Sequence, residues 1–409
     1  MGRLASVPVF FGLRVASALL LLKLSASFLP VDGFAVFSQF ILFASLLNLV
    51  AVGGAQNGLI RQAAAADDTE ALARTQSAAL FIWAVAFPVL ALLVALGSGR
   101  ISHVLMGNGE QRPAVITIAL LALAAGPGQV WCSILSGRKR VAQSLAAQAS
   151  GLLAGAGAAA WLITRGEPVA AAIGFASGSL VTMAVSFLFT AALRIPFAPP
   201  RSTMAEIRTL LRYSAAFAAT TGFSAIVLFG LRWRYREAFG ATELGYWMAA
   251  NRISDLSTQL LGLFMIQVFV PHLAMTESEP ARRALVLRCW AAGAAVMGAI
   301  VAVFSLAPRP LVHIFLSDAF LPAIPAIRTY MVGDLLRVWP TLAMYAAFAR
   351  GRPSRYAAIE IGTLSVMATI TLALVSVGQV QAPQFGYLGA YALAAVLVTL
   401  AFLWRPQAI

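Results

Sequence analysis

Charged side chains are scarce in this chain, where Asp, Glu, Lys and Arg make up only 11% of 409 residues. An ordinary soluble domain has about 25%. Hydrophobic residues reach 60%, against roughly 45–50% in soluble domains, so the composition excludes a soluble enzyme. Because a membrane-crossing helix needs roughly 20 apolar residues, the chain has material for about twelve spans and none for a sizeable extramembrane domain.

Residues that bind metals or act as nucleophiles are equally rare. The chain has two cysteines, Cys132 and Cys289, both within apolar runs, and three histidines that lack the spacing of a metal site. The motifs HExxH, CxxC, GxSxG and the phosphate-binding P-loop are missing from the sequence. We therefore expect no catalytic residues, no metal and no cofactor.

The apolar runs predict an all-α integral membrane protein of about twelve transmembrane helices. The predicted segments are 5–29, 34–60, 76–97, 114–136, 141–163, 168–193, 209–230, 244–273, 284–307, 322–349, 355–378 and 384–404.

The excess of basic over acidic residues, 29 against 15, indicates membrane topology rather than nucleic-acid binding. Lys and Arg lie in short clusters between apolar runs, without interleaved aromatic residues. Most lie in the even-numbered connections and at the termini, which predicts that both termini are cytoplasmic. We expect a multi-pass protein of a bacterial inner (cytoplasmic) membrane, with membrane lipids around it and no nucleic-acid partner.

Two weak internal sequence similarities predict a duplicated architecture. Gly33 near the start of the second segment corresponds to Gly245 in the eighth, and Gly137-Arg138 corresponds to Gly351-Arg352, at separations close to half the chain. The connection at 194–208 is charged and rich in proline. We predict an N-terminal six-helix bundle at 1–197 and a C-terminal six-helix bundle at 198–409.

Charges within the apolar runs are the candidate functional residues. A lipid-facing charge costs about 3 kcal/mol, so they cannot all face lipid. They are Arg14, Lys23, Arg252, Asp255, Arg328, Asp334, Arg337 and Glu360. Arg328 and Glu360 lie close enough to helix ends to snorkel towards the interface.

Two interpretations of these charges remain open. Arg252 with Asp255, and Asp334 with Arg337, have the i,i+3 spacing of local ion pairs that only neutralise a helix. Against this, Gln259 continues the stripe of Arg252 and Asp255 by one turn, as expected for a helix that lines a wet cavity.

Helix one offers cations without an acidic partner of its own. Arg14 lies in its cytoplasmic third, where it suits an anion that arrives from the cytoplasm, and Lys23 lies half a helical rotation away. Basic residues outnumber acidic ones among the intramembrane charges. A net cationic interior suits a negatively charged substrate.

Three stretches resemble Wzx-type lipid-linked oligosaccharide flippases, the O-antigen and enterobacterial common antigen translocases of the MOP superfamily. They are Leu244-Gly245-Tyr246-Trp247 through Ile253-Ser254-Asp255, Val332-Gly333-Asp334-Leu335-Leu336-Arg337, and Gly54 to Arg61 with Asn57-Gly58. Arg14, Lys23 and the connection Leu105-Met106-Gly107-Asn108 extend the resemblance over nearly the whole chain. Arg252 departs from it, since the common antigen relative has a small polar residue there.

The resemblance implies two six-helix bundles of the MATE type and a substrate that is an undecaprenyl diphosphate-linked oligosaccharide. It implies alternating access that moves this lipid from the cytoplasmic to the periplasmic leaflet. The predicted substrate-binding residues are Arg14, Lys23, Asn57, Arg61, Arg252, Asp255, Gln259 and Arg337. Asp255, Asp334 and Glu360 are the candidates for coupling to H⁺ or Na⁺, and polymerase and chain-length proteins are the candidate pathway partners.

Two other functions are compatible with parts of the pattern. A MATE-like multidrug or cation antiporter would need acidic residues towards its substrate, which the net cationic interior disfavours. A membrane-embedded polysaccharide polymerase would need a large extramembrane loop or a metal-binding carboxylate motif, and the sequence has neither.

Overall fold

The computed structural model describes residues 2–52, 54–265, 269–276, 278–350 and 352–404, and lacks strands within these ranges. Some side chains in these ranges, including that of Asn57, lie outside the described part. The chain divides into two compact units, Met1–Thr221 and Gly222–Ile409. The prediction of an all-α protein is confirmed, and the predicted bundle boundary at 197/198 stays a prediction.

Within its described residues, the N-terminal unit contains eight α-helices and the start of a ninth. They are α1 (Gly2–Phe28), α2 (Val31–Val50), α3 (Gln56–Ala65), α4 (Thr69–Met106), α5 (Arg112–Ala124), α6 (Gly126–Gly137), α7 (Val141–Ile163), α8 (Pro168–Ala191) and α9 (Met204–Phe264). α7 packs along α8 and also against α1, while α2, α5 and α6 pack on α8.

In the part of the C-terminal unit that the structure describes, the rest of α9 is followed by six further α-helices. They are α10 (Val270–Met275), α11 (Glu279–Leu306), α12 (Pro308–Phe315), α13 (Ile324–Ala349), α14 (Pro353–Ser376) and α15 (Ala382–Trp404). α13 packs against α11, α14 and α15, so α13 lies at the centre of this unit.

Two predicted segments are each divided into two helices. The segment 34–60 is interrupted between α2 and α3, where Gly54 adopts φ 72°, a conformation that favours glycine. The segment 114–136 is interrupted at Ala125, because Pro127 in the first turn of α6 lacks the N–H and the space needed to continue a helix.

In α9, by contrast, the structure joins two predicted segments into one helix. The predicted segments 209–230 and 244–273 were separated by a charged connection, but the chain stays helical there apart from Gly240, with φ 90° and ψ 175°. That conformation is essentially restricted to glycine. Residues 231–239 are therefore helical, which places Arg232 in α9 instead of a loop.

Nine helical spans among the described residues are long and apolar enough to cross a membrane, and α5 and α6 together form one of them. Each of the nine overlaps one predicted segment. Of the three remaining predicted segments, 209–230 lies in α9, 244–273 begins in α9 and ends in α10, and 322–349 corresponds largely to α13. α9 and α13 carry Arg252, Asp255, Asp334 and Arg337.

Candidate functional site

Asp334 is the centre of a polar cluster in the C-terminal unit. It lies on α13 with 0% of its surface exposed. Oδ1 accepts hydrogen bonds from Ser254 Oγ at 2.8 Å and Tyr387 OH at 2.6 Å, and Oδ2 accepts one from Ser257 Oγ at 2.9 Å. Because the donors come from α9 and α15, one carboxyl group connects three helices.

Arg337 lies one turn further along α13 and reaches Asp334 through a tyrosine. Its Nη1 donates to Tyr387 OH at 3.1 Å, and the same hydroxyl donates to Asp334. The Arg337 guanidinium also lies 5.2 Å from the centre of the Tyr391 ring, within the range of a cation–π interaction. Tyr387 thus bridges the i,i+3 pair that the sequence indicates.

Gly333 allows Tyr387 to approach α13. A Cβ atom at this glycine would lie 2.5 Å from Cδ1 of the tyrosine ring, closer than carbon atoms can approach without displacement. The glycine of the Gly333-Asp334 dipeptide therefore makes room for the ring whose hydroxyl bonds the neighbouring aspartate.

A second polar row starts at Arg232, of which 5% is exposed. Its Nη2 donates to Asn251 Oδ1 at 3.1 Å, and Asn251 Nδ2 donates to Asp255 Oδ1 at 3.3 Å. Nε and Nη1 of Arg232 are buried and lack a hydrogen-bond partner among the described residues. Asp255 also interacts electrostatically with Arg252 and Arg337 as well as Arg232, so this carboxyl group lies among three arginines.

Aromatic rings complete this cluster. Trp247 Nε1 donates to Tyr330 OH at 2.6 Å. The ring centres of Tyr330 and Tyr387 are 4.8 Å apart, and those of Tyr387 and Tyr391 are 4.7 Å apart. Since these rings lie beside Arg337 and Asp334, they shield the polar contacts and fix their geometry.

The structure brings part of the predicted site together. Arg252 and Asp255 on α9 and Arg337 on α13 are half-buried members of the cluster, and the half-buried Glu360 of α14 interacts electrostatically with Arg337. Gln259, one turn after Asp255, is exposed.

The remaining predicted residues belong to the N-terminal unit. Arg14 on α1 and Arg61 on α3 are exposed, and Lys23 on α1 is half-buried. The side chain of Asn57 lies outside the described part of the chain. These four residues keep the substrate-binding role as a prediction.

Sequence reasoning missed the hydroxyl groups and the most buried cation. Ser254, Ser257, Tyr330, Tyr387 and Tyr391 were not among the predicted site residues. The i,i+4 spacing of Tyr387 and Tyr391 in an apolar helix was an available signal, because polar groups within a membrane need a partner. Arg232 was missed because it was assigned to a connection.

Within the described residues, His, Cys, Asp and Glu do not gather in a group of three or more that could hold a metal ion. The cluster instead offers guanidinium groups, hydroxyls and aromatic rings. It can hold an anion by charge and hydrogen bonds, and it can hold a carboxyl group in a fixed position.

Comparison with known proteins relates this geometry to a family. The profile of a family described as polysaccharide biosynthesis protein matches residues 25–325. No curated protein sequence matches the chain.

Solved structures share the fold over nearly the full length. An inward-facing multidrug resistance MATE family transporter of the MOP superfamily has a TM-score of 0.78 at 17% identity, covering 96% of each chain. The lipid II flippase MurJ, in an inward closed conformation, has a TM-score of 0.72 at 12% identity, covering 99% of this chain and 87% of that chain.

A MOP superfamily transporter from Pyrococcus furiosus has a TM-score of 0.62 at 16% identity, covering 98% of this chain and 94% of the other. At these identities the likenesses establish the fold alone. The predicted MOP-type architecture of a multi-pass membrane protein is confirmed.

Proposed function

The chain belongs to the polysaccharide biosynthesis protein family, and from this membership we propose that it flips an undecaprenyl diphosphate-linked oligosaccharide across the bacterial inner membrane. The direction is from the cytoplasmic to the periplasmic leaflet, by alternating access. The polyprenyl tail stays in lipid while the charged and sugar-bearing head crosses. No covalent bond changes, so the proposed activity is transport and not catalysis.

The observation that carries the proposal is a buried guanidinium group in the C-terminal unit, that of Arg232, of which 5% is exposed. Two nitrogens of Arg232 lack a hydrogen-bond partner among the described residues, and Arg252 and Arg337 lie near the same Asp255. Burying a charge is costly unless it is paired. A diphosphate is an anion that can accept bidentate hydrogen bonds from a guanidinium group, and so it would satisfy these two nitrogens.

The same cluster contains the proposed coupling residue. Asp334 is buried and accepts three hydrogen bonds that link α9, α13 and α15. Binding H⁺ or Na⁺ there would compete with Ser254, Ser257 and Tyr387 for the carboxylate oxygens. The ion would thereby change how the three helices are held together, which is the kind of two-state element that coupling requires. Asp255 and Glu360 are the alternatives.

Arg14 and Lys23 on α1, with Asn57 and Arg61 on α3, are proposed to receive the head from the cytoplasmic side, with both termini in the cytoplasm. Polymerase and chain-length proteins of the same pathway are the proposed partners. A MATE-like multidrug antiporter is the alternative function. The buried guanidinium of Arg232, with two unpartnered nitrogens among the described residues, disfavours it, because a cation beside this group would be repelled.

The test is translocation of a fluorescent polyprenyl diphosphate-linked disaccharide in proteoliposomes, measured by its access to a membrane-impermeant quencher. We expect Arg232→Ala and Arg14→Ala to reduce the rate by about tenfold or more, the effect of about 1.4 kcal/mol or more. Arg328→Ala is the matched control, because Arg328 lies on α13 but is exposed and donates to Ser305 O at 2.9 Å.

Unchanged transport by both variants would contradict the assignment of these cations. Transport of a cationic dye in place of the lipid would favour the antiporter. Transport that continues at full rate after both the H⁺ and Na⁺ gradients are collapsed would exclude coupling at Asp334.

A further inference from the structure

A cavity of about 160 Å³ lies within the N-terminal unit, between α2, α5, α7 and α8. A single buried water needs only roughly 10–15 Å³ of comparable space, so this cavity has room for a larger group. Its polar lining residues are Ser45, Asn48, Ser179 and Thr182, and Phe175 contributes an aromatic ring. Among the residues that the structure describes, those that line the cavity are all uncharged.

A chain of amide groups fixes the orientation of Asn48 in this cavity. Gln56 Nε2 donates to Gln129 Oε1, and Gln129 Nε2 donates to Asn48 Oδ1. The carbonyl oxygen of Asn48 is thus occupied. Its amide nitrogen has no hydrogen-bond partner among the described residues, and neither does the Thr182 hydroxyl. Two polar groups are therefore available to something that enters the cavity.

Close packing of α7 on α8 holds these groups in place. A Cβ atom at Gly178 would lie 2.3 Å from Gly151 O, and a Cβ atom at Gly151 would lie 1.9 Å from Thr182 Oγ1. Both glycines line the cavity. The backbone approach that they permit places the Thr182 hydroxyl at the cavity wall in a fixed position.

We propose that this cavity binds one neutral sugar ring of the transported lipid; this rests on the proposed function and names a subsite for it. A sugar ring has hydroxyls that both donate and accept, together with apolar C–H faces. It therefore matches a small set of uncharged polar groups beside an aromatic ring and small apolar side chains. A phosphate group would lack a cation here, and an acyl chain would leave the Asn48 amide and the Thr182 hydroxyl without partners.

The diphosphate is common to all lipid-linked intermediates, and the proposed cavity subsite does not contact it. The N-terminal cavity contacts the sugar, which differs from one polysaccharide to another. Changes in the cavity should consequently alter the choice of sugar without altering the need for a diphosphate.

The experiment compares binding of two kinds of probe to the full-length protein in nanodiscs. One kind is polyprenyl diphosphate without sugar, and the other is a panel of polyprenyl diphosphates that carry glucose, galactose or N-acetylglucosamine. The variants are Asn48→Leu and Thr182→Val, which keep the side-chain shape but remove the hydrogen-bonding groups. Ser177→Ala is the matched control, because Ser177 Oγ donates to Gly174 O on the same helix as Thr182 and does not line the cavity.

We expect wild-type protein to bind at least one sugar-bearing probe more tightly than the sugar-free lipid. Asn48→Leu and Thr182→Val should each reduce that preference by about 3- to 10-fold, as expected for one lost hydrogen bond, and leave the sugar-free affinity unchanged. A wild-type protein that binds all probes equally, or variants that lose affinity for both kinds equally, would overturn the subsite alone. A wild-type protein that binds neither kind overturns the proposed function, and the subsite with it.

Discussion

The interiors of the two units differ in charge. In the N-terminal unit the fully buried polar side chains that the structure describes are uncharged, namely serines, threonines and glutamines such as Gln39 and Gln76. In the C-terminal unit the described buried polar residues include Arg232 and Asp334. In the N-terminal unit, close backbone contact joins α7 to α8 and an amide group joins α2 to the end of α4, whereas in the C-terminal unit a carboxyl group joins α9, α13 and α15.

The free-energy cost of burying charged side chains therefore falls mainly on the C-terminal unit. Neutral hydroxyl and amide groups contribute modest hydrogen bonds, whereas a buried charge is tolerated only with several partners or a functional need. The Asp334 carboxylate has its partners in Ser254, Ser257 and Tyr387. Arg232 does not have a full set among the described residues, which is why we assign the anion to the C-terminal unit.

Removal of the Asp334 carboxyl group is the strongest test of this comparison. Asp334→Ala removes the acceptor of Ser254 and Tyr387 and one of the two acceptors of Ser257, which also donates to Ser254 O at 2.8 Å. It also leaves Arg337 without this carboxyl group, so we expect the free energy of unfolding to fall by about 3–5 kcal/mol. Gln39→Ala is the counterpart in the N-terminal unit, since Gln39 Nε2 donates to Leu105 O at 2.7 Å and is equally buried. It should cost only about 1–3 kcal/mol. Denaturant titration in detergent measures both, and equal losses would remove the distinction between the interiors.

Tyr387→Phe tests the bridge between Arg337 and Asp334 while keeping the aromatic ring. Loss of a hydrogen bond to a charged group should lower the free energy of unfolding by about 1.5–3 kcal/mol and slow translocation as well. Tyr391→Phe is the matched control, because Tyr391 lies one turn later on α15 and its hydroxyl has no hydrogen bond among the described residues. If both variants behave alike, the ring stacking and not the hydroxyl holds the cluster together.

The sequence predicts the helices of this protein better than it predicts the contacts between them. The segment 141–163 coincides with α7 (Val141–Ile163), because apolar length is a local property. The GxxxG of Gly151 and Gly155, which indicates close helix packing, does lie against α8. The hydrogen bond of Tyr387 to Asp334 joins residues far apart in sequence, and no local pattern specifies it.

Arg232 shows why local charge density misled the sequence reasoning. A cluster of arginines between two apolar runs is typical of an exposed connection. In the structure, α9 stays helical through residues 231–239 and breaks only at Gly240, so Arg232 packs near Trp247, with its guanidinium 6.0 Å from the ring centre. Tertiary packing, and not local composition, decides that Arg232 is buried. Charged residues within apolar runs can be predicted as intramembrane from the sequence, whereas a buried charge within a charged cluster cannot.

Gly178→Ala tests whether the N-terminal unit depends on the close backbone approach of α7 and α8. The added methyl group would lie 2.3 Å from Gly151 O, so α7 and α8 must separate, and we expect a loss of about 1–3 kcal/mol in thermal or denaturant unfolding. Gly157→Ala is the control on α7, where a Cβ atom would meet nothing within 4 Å. It should stabilise the protein by roughly 0.5–1 kcal/mol, because alanine favours a helix over glycine. The same sign for both variants would contradict the packing argument.

We expect the smallest effect for partly exposed ion pairs, which occur in both units. Glu206 pairs with Arg74 at 3.2 Å in the N-terminal unit, and Glu279 pairs with Arg282 and Arg350 at 3.6 Å in the C-terminal unit. Glu206→Gln and Glu279→Gln should each lower the free energy of unfolding by less than about 1 kcal/mol. This loss relative to the wild-type protein should vanish in about 1 M salt, where charges are screened within roughly 3 Å. Unfolding at low and high salt measures both. If Glu279→Gln instead costs several kcal/mol at either salt concentration, the charged network of the C-terminal unit extends to its surface and is not confined to the cluster around Asp334.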